Sequence, residues 1–180
     1  MPILGSQAPH FALPNTNPNI GNSPVSLEDY RDTKALLIAF WCNHCPYVIH
    51  IRDKFVDFAD RYQDKGLAIV AICANDSVGY PEDSPEKMTQ EARQHRFPFP
   101  YLHDDSQTVA RTYQAVCTPD FFLYDGNLSL HYRGRFDSSP PGNGHPITGD
   151  DLAAAADSAL NGTPPPARQE PSMGCSIKWK

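Results

Sequence analysis

The chain has 180 residues, enough for one domain with its own core and too few for two of ordinary size. Acidic residues (21) outnumber basic ones (15), the net charge is −6 and the pI is near 5.5, so no basic field exists to attract nucleic acid or an anionic membrane. Apolar residues at 40% and charged residues at 20% are globular proportions, while 18 prolines, about twice the usual share, foretell long loops or a proline-rich tail.

The opening MPILGSQAPHFALPNT has neither a basic nor a sustained apolar region, so no secretory signal is expected and the expected location is cytoplasmic. The segment FALPNT reads as extended, and SLEDY (26–30) as one turn capped by Ser26. Together these form an N-terminal extension over residues 1–33. Ala35 to Trp41 and Leu67 to Ala74 are continuously apolar, the pattern of strands buried on both faces of a parallel sheet. The second is the longest apolar run and falls far short of the roughly 18 residues that span a bilayer, so no membrane partner is expected.

Between the two strands, Val48, Ile51, Phe55, Phe58, Ala59 and Tyr62 step by three and four and define one face of a helix that Gly66 ends. A second helix is predicted from Ser84, with Pro85 in its first turn, toward Arg96. A short strand near Tyr101 and a helix over Thr108 to Tyr113 follow. Phe121 to Tyr124 and Leu128 to Tyr132, separated by Asp125-Gly126-Asn127, read as a hairpin. The last helix is predicted from Thr148, with Leu152, Ala155, Ala156, Ala159 and Leu160 as its apolar face and Gly162 as its stop. The β-α-β unit, hairpin and closing helix are the element order of a thioredoxin fold over residues 1–162, and 163–180 is a proline-rich tail that Ile177 and Trp179 are placed to dock.

Five cysteines, at 42, 45, 73, 117 and 175, are an odd number in a chain large enough for a core, which argues against a stapled secreted framework. Chance would supply only roughly 0.14 pairs at the spacing of Cys42-Asn43-His44-Cys45. The pair lies where a buried strand meets an amphipathic helix, so the helix's free N–H groups are expected to favour a thiolate at Cys42, with Cys45 one turn on as the resolving thiol. A buried inert pair, or zinc held by Cys42, His44 and Cys45, are the alternatives; no second Cys/His pair at zinc spacing accompanies them. His44 reads equally as a cation that stabilises the thiolate and as a solvated helix-start residue. Cys73 belongs to a central strand and reads as packing. Cys117 and Cys175 each read either as an additional redox thiol or as a residue with no chemistry.

WCNHCPYV, followed by CTPDFFLYD, resembles the thioredoxin-like superfamily, in which a helix-start CxxC faces a cis-proline loop. The resemblance implies that Pro119 is that proline, that the backbone of Thr118 pairs with substrate, and that Trp41, Asn43 and His44 support the site. With SLEDYRD, HYRGRFDSSPPGN and GCSIKWK, the chain more closely resembles the peroxiredoxin-like redoxins of the alkyl hydroperoxide reductase/thiol-specific antioxidant (AhpC/TSA) family. The PxxxTxxC motif of true peroxiredoxins would place its cysteine on Cys45, but its other positions are Ile38 and Cys42 here, and Pro119 stands where their arginine is expected. The buried aspartate of thioredoxin also has no counterpart between Lys34 and Cys45.

The expected function is thiol–disulfide exchange by Cys42 and Cys45 without metal, haem or nucleotide cofactor. The partners are protein or small-molecule disulfides and a thiol reductant. A thiol peroxidase and a redox-dependent binding protein or chaperone are the rivals. Arg133 and Arg135, beside the Ser/Pro/Gly loop that runs to Pro146, read as either a site for an acidic partner or solvated strand-end charges.

Overall fold

The computed structural model describes residues 2–180. Two short strands, β1 (Ala12–Leu13) and β2 (Val25–Ser26), pair antiparallel in the N-terminal extension. A one-turn 3-10 helix at Leu27–Tyr30 follows, and the Asp29 carboxylate accepts the Ser26 backbone N–H at 2.8 Å.

The main sheet has the order β5-β4-β3-β7-β8. β3 (Ala35–Phe40), β4 (Leu67–Cys73) and β5 (Tyr101–His103) run parallel, and β7 (Asp120–Asp125) and β8 (Leu130–Gly134) complete it antiparallel. β3 is the middle strand and every one of its side chains is buried. Its alternation divides the core: Leu37, Ala39 and the following Trp41 face one layer, and Leu36, Ile38 and Phe40 face the other. The first layer is covered by α1 (Pro46–Gln63), α2 (Pro85–Gln94) and α4 (Asp150–Leu160). The second is covered by α3 (Thr108–Tyr113) and the N-terminal extension. The six α1 residues of the predicted stripe are its six buried ones, and Gly66, at φ +101°, follows the helix. No helix among the described residues is long and apolar enough to cross a membrane.

Three boundaries differ from expectation for local physical reasons. The hairpin strand starts at Leu130 instead of Leu128, because Leu128 adopts φ +56° and its N–H closes the turn on the Asp125 carbonyl at 2.9 Å. α2 ends at Gln94, before Arg96 turns to φ +52°. Thr148 does not start α4: Gly149, at φ +70°, precedes it, and the carboxylate of Asp137 accepts the N–H groups of Thr148 and Gly149 at 2.8 Å each. Arg133 and Arg135 face internal carboxylates, Asp120 at 3.2 Å and Asp151 at 2.6 Å, so neither is left as a landing site for an acidic partner.

Burial opposes the charge of Asp137, but hydrogen bonds from Ser139, Gly149 and Thr148 outweigh it and hold the carboxyl below its usual range. A depressed folded pKa contributes stability above the unfolded value and loses it as pH falls through the folded one. Asp137→Asn is therefore expected to lower the urea midpoint at pH 7, with a deficit that shrinks as pH drops below about 4. A deficit that persists unchanged into acid would contradict this.

Candidate active site

Pro46 decides where α1 begins. A residue preceding proline is pushed out of the helical region, and Cys45 accordingly sits at φ −68°, ψ 126° as the N-cap, with Pro46 at the first helical position. Cys45 therefore does not lie one turn inside the helix, and Cys42 is not at its mouth. The Cys45 carbonyl accepts the Ile49 N–H at 3.0 Å, and the Val48 N–H favours a charged sulfur at Cys45.

Both sulfurs meet the loop that follows α3. β6 (Cys117–Thr118) leads into a cis Thr118–Pro119 bond, as the family resemblance implied. The Thr118 hydroxyl lies 3.1 Å from the Cys42 sulfur, and the Thr118 carbonyl lies 3.2 Å from that of Cys45. A third thiol joins them from β9 (Cys175–Ser176): the Cys175 sulfur is 2.7 Å from the Cys45 sulfur, well beyond the roughly 2.05 Å of an S–S bond. All five cysteines are free.

This arrangement places the charge on Cys45. The Cys42 and Cys175 thiols and the Val48 N–H draw the Cys45 thiol down, against burial, to about 4. Cys42 is driven upward, because it donates to Cys45, is buried, and lies near the Asp83 carboxylate. Cys42 and Cys45 are 0% and 1% exposed, so neither sulfur lies open at a helix mouth; contact with Cys45, burial and Asp83 push Cys42 up, and Cys45 is drawn down.

Asp83 was not identified from sequence. It comes from a 3-10 turn at Pro81–Asp83 and is fully buried. Its carboxylate accepts the Asn43 N–H at 2.7 Å and the Asn75 amide at 2.8 Å, and it faces His44 Nδ1 at 2.6 Å. The Cys42 sulfur, His44 Nδ1 and an Asp83 oxygen lie within 4.8 Å of one another, which brings a buried carboxylate to the pair from outside β3. The His44 ring, held by Asp83, stacks on Tyr80 with centroids 5.5 Å apart. The Asn43 side chain is held between the Glu82 carbonyl at 2.8 Å and the Tyr101 hydroxyl at 2.9 Å. Trp41 is buried against Phe55, with ring centroids 4.9 Å apart.

The remaining cysteines divide. Cys73 is buried in β4, as packing requires. The Cys117 sulfur faces the Pro119 carbonyl at 3.5 Å, and burial pushes its thiol up to about 12. Cys175 is the one the fold brings to the pair.

A family model described as the AhpC/TSA family matches residues 4–133. An uncharacterized conserved protein from Geobacillus kaustophilus is 50% identical, with a TM-score of 0.95 over 100% of this chain and 94% of that one. A hypothetical protein from Sinorhizobium meliloti is 45% identical, with a TM-score of 0.95 over 100% of this chain and 96% of that one. The thioredoxin domain of a thiol-disulfide oxidoreductase from Bacteroides vulgatus shares the fold at 20% identity, with a TM-score of 0.60 over 74% of this chain and 89% of that one. No curated protein matches the chain.

Proposed function

The chain belongs to the AhpC/TSA family, and from that premise we propose that it is a thiol–disulfide oxidoreductase in which Cys45 is the nucleophile and Cys42 the resolving thiol. The observation that carries this reading is that both sulfurs converge on Thr118, Cys42 3.1 Å from its hydroxyl and Cys45 3.2 Å from its carbonyl. The Cys45 thiolate attacks a disulfide sulfur brought to it; the S–S bond breaks, and the departing thiolate takes a proton from solvent. Cys42 then attacks the Cys45 sulfur and expels the second thiolate, which leaves as thiol with the proton that Cys42 gives up. The Asp83–His44 pair beside Cys42 is placed to pass that proton. Two electrons leave the protein dithiol, and a Cys42–Cys45 disulfide remains. A thiol reductant restores it. The chemistry asks for no metal or organic cofactor.

Peroxide reduction is a second reading, favoured by the charge on Cys45, the position of the peroxidatic cysteine in the family motif. That reaction needs donors around the oxygen that accepts charge. Around the Cys45 sulfur stand two thiols and the Thr118 carbonyl, and the latter repels such an oxygen. The discriminating assay supplies a dithiol and compares a small disulfide, glutathione disulfide, with hydrogen peroxide. Disulfide reduction is expected, with peroxide turnover orders of magnitude below a dedicated peroxidase. Fast peroxide consumption that survives Cys42→Ser and vanishes in Cys45→Ser would make the protein a peroxidase.

A further inference from the structure

The last seven residues lie where a substrate strand would. β9 pairs antiparallel with β6, in a register that sets Cys175 opposite Thr118. Gly174 permits this approach, since a Cβ there would collide with the Thr118 carbonyl. Beyond the strand, Ile177 is buried in the second core layer. The Lys178 N–H donates to Asn75 at 2.9 Å, its carbonyl accepts the Asp76 N–H at 2.8 Å, and Arg111 covers the Trp179 ring at 4.3 Å. These contacts fix the Cys175 sulfur on Cys45. Exposure completes the pattern: Cys42 and Cys45 are 0% and 1% exposed, whereas Cys175 is only partly buried.

We propose that Cys175 is a third redox thiol, the port through which the buried Cys42–Cys45 pair exchanges electrons with low-molecular-weight thiols and disulfides. The proposal rests on the dithiol function of Cys42 and Cys45 and adds the route by which that pair is reached. Starting from the Cys42–Cys45 disulfide, Cys175 attacks the Cys45 sulfur. The Cys42–Cys45 bond breaks, a Cys45–Cys175 bond forms, and the electron pair and the Cys175 proton pass to Cys42, with no net oxidation. A small external thiol then attacks the accessible Cys175 sulfur, and Cys45 departs as a thiolate. That departure is favourable because a thiol of low pKa leaves fast. A second external thiol releases Cys175 and carries off the external disulfide, so two thiols are oxidised and the protein disulfide is reduced. The same steps run backward when the protein reduces a small disulfide. An extended polypeptide cannot pair with Thr118 while β9 occupies that edge, which is why the external partner is small.

The test is a non-reducing tryptic map of the full chain after oxidation by glutathione disulfide. Cys42 and Cys45 fall on one peptide, residues 35–52, and Cys175 on another, residues 169–178. A linked 35–52/169–178 species is expected in the wild type and as the main product in Cys42→Ser, and it is expected to vanish in Cys45→Ser. Gly174→Val, which keeps the thiol but displaces the strand, is expected to lose most of the link. Cys175→Ser, checked for an unchanged melting temperature, is expected to slow steady-state recharging by glutathione about tenfold or more. An internal disulfide within 35–52 with no link to 169–178, or a Cys175→Ser variant recharged at the wild-type rate, would overturn the relay and leave the dithiol reading standing. The absence of both disulfides would overturn both.

Discussion

Cys45→Ser is expected to abolish reduction of a model disulfide, with a fall of at least about 10³-fold, because it removes the proposed nucleophile. Cys42→Ser is expected to stop at a different point. Its Cys45 still attacks but loses its partner, so the protein accumulates with Cys45 held in a disulfide. That disulfide is to the substrate or, through the relay, to Cys175. Mass spectrometry of the quenched reaction separates these outcomes. A mixed disulfide that collects on Cys42 in the Cys45→Ser variant would reverse the roles of the two residues. The sequence alone favours that reversed assignment.

The second large effect is on stability. Phe55 projects from the middle of α1 and is fully buried among Trp41, Phe121, Phe99, Phe58 and Phe136, at centroid separations of 4.9, 5.3, 5.5, 6.0 and 6.0 Å. It joins the helix that carries Cys45 to the strand that leads into Cys42. Phe55→Ala removes both transfer energy and packing, a loss of about 3–5 kcal/mol for a ring in a core that cannot collapse around the gap. Urea unfolding is expected to show this as a lower midpoint with an unchanged slope. A loss under about 1 kcal/mol would mean that the aromatic cluster repacks and is not the rigid support of the site.

How much of this was legible in the sequence follows from the range of each interaction. The apolar runs of β3 and β4 and the α1 stripe are local patterns, and they appear in the structure at nearly the same residues. The Cys45–Pro46 dipeptide was equally local. It carries the signal that α1 starts after Cys45, yet the spacing of the two cysteines drew the helix start to Cys42. Asp83 had no local signal: it lies 38 residues beyond Cys45 in an unpatterned Pro/Glu/Asp turn, and only the fold brings it under Asn43 and His44. β9 is two residues long, too short for any period to show. The tail's docking could be anticipated from Ile177 and Trp179, but the register that sets Cys175 opposite Thr118 could not.

The account depends on which sulfur carries the charge. The most direct measurement is an NMR titration of the reduced protein labelled at cysteine Cβ, which reads each thiol whether or not a reagent can reach it. The expected result is a Cys45 resonance that titrates far below the ordinary thiol value of about 8.5, while Cys42 stays protonated through neutral pH. A Cys42 resonance that titrates first, with Cys45 protonated at neutral pH, would contradict the account.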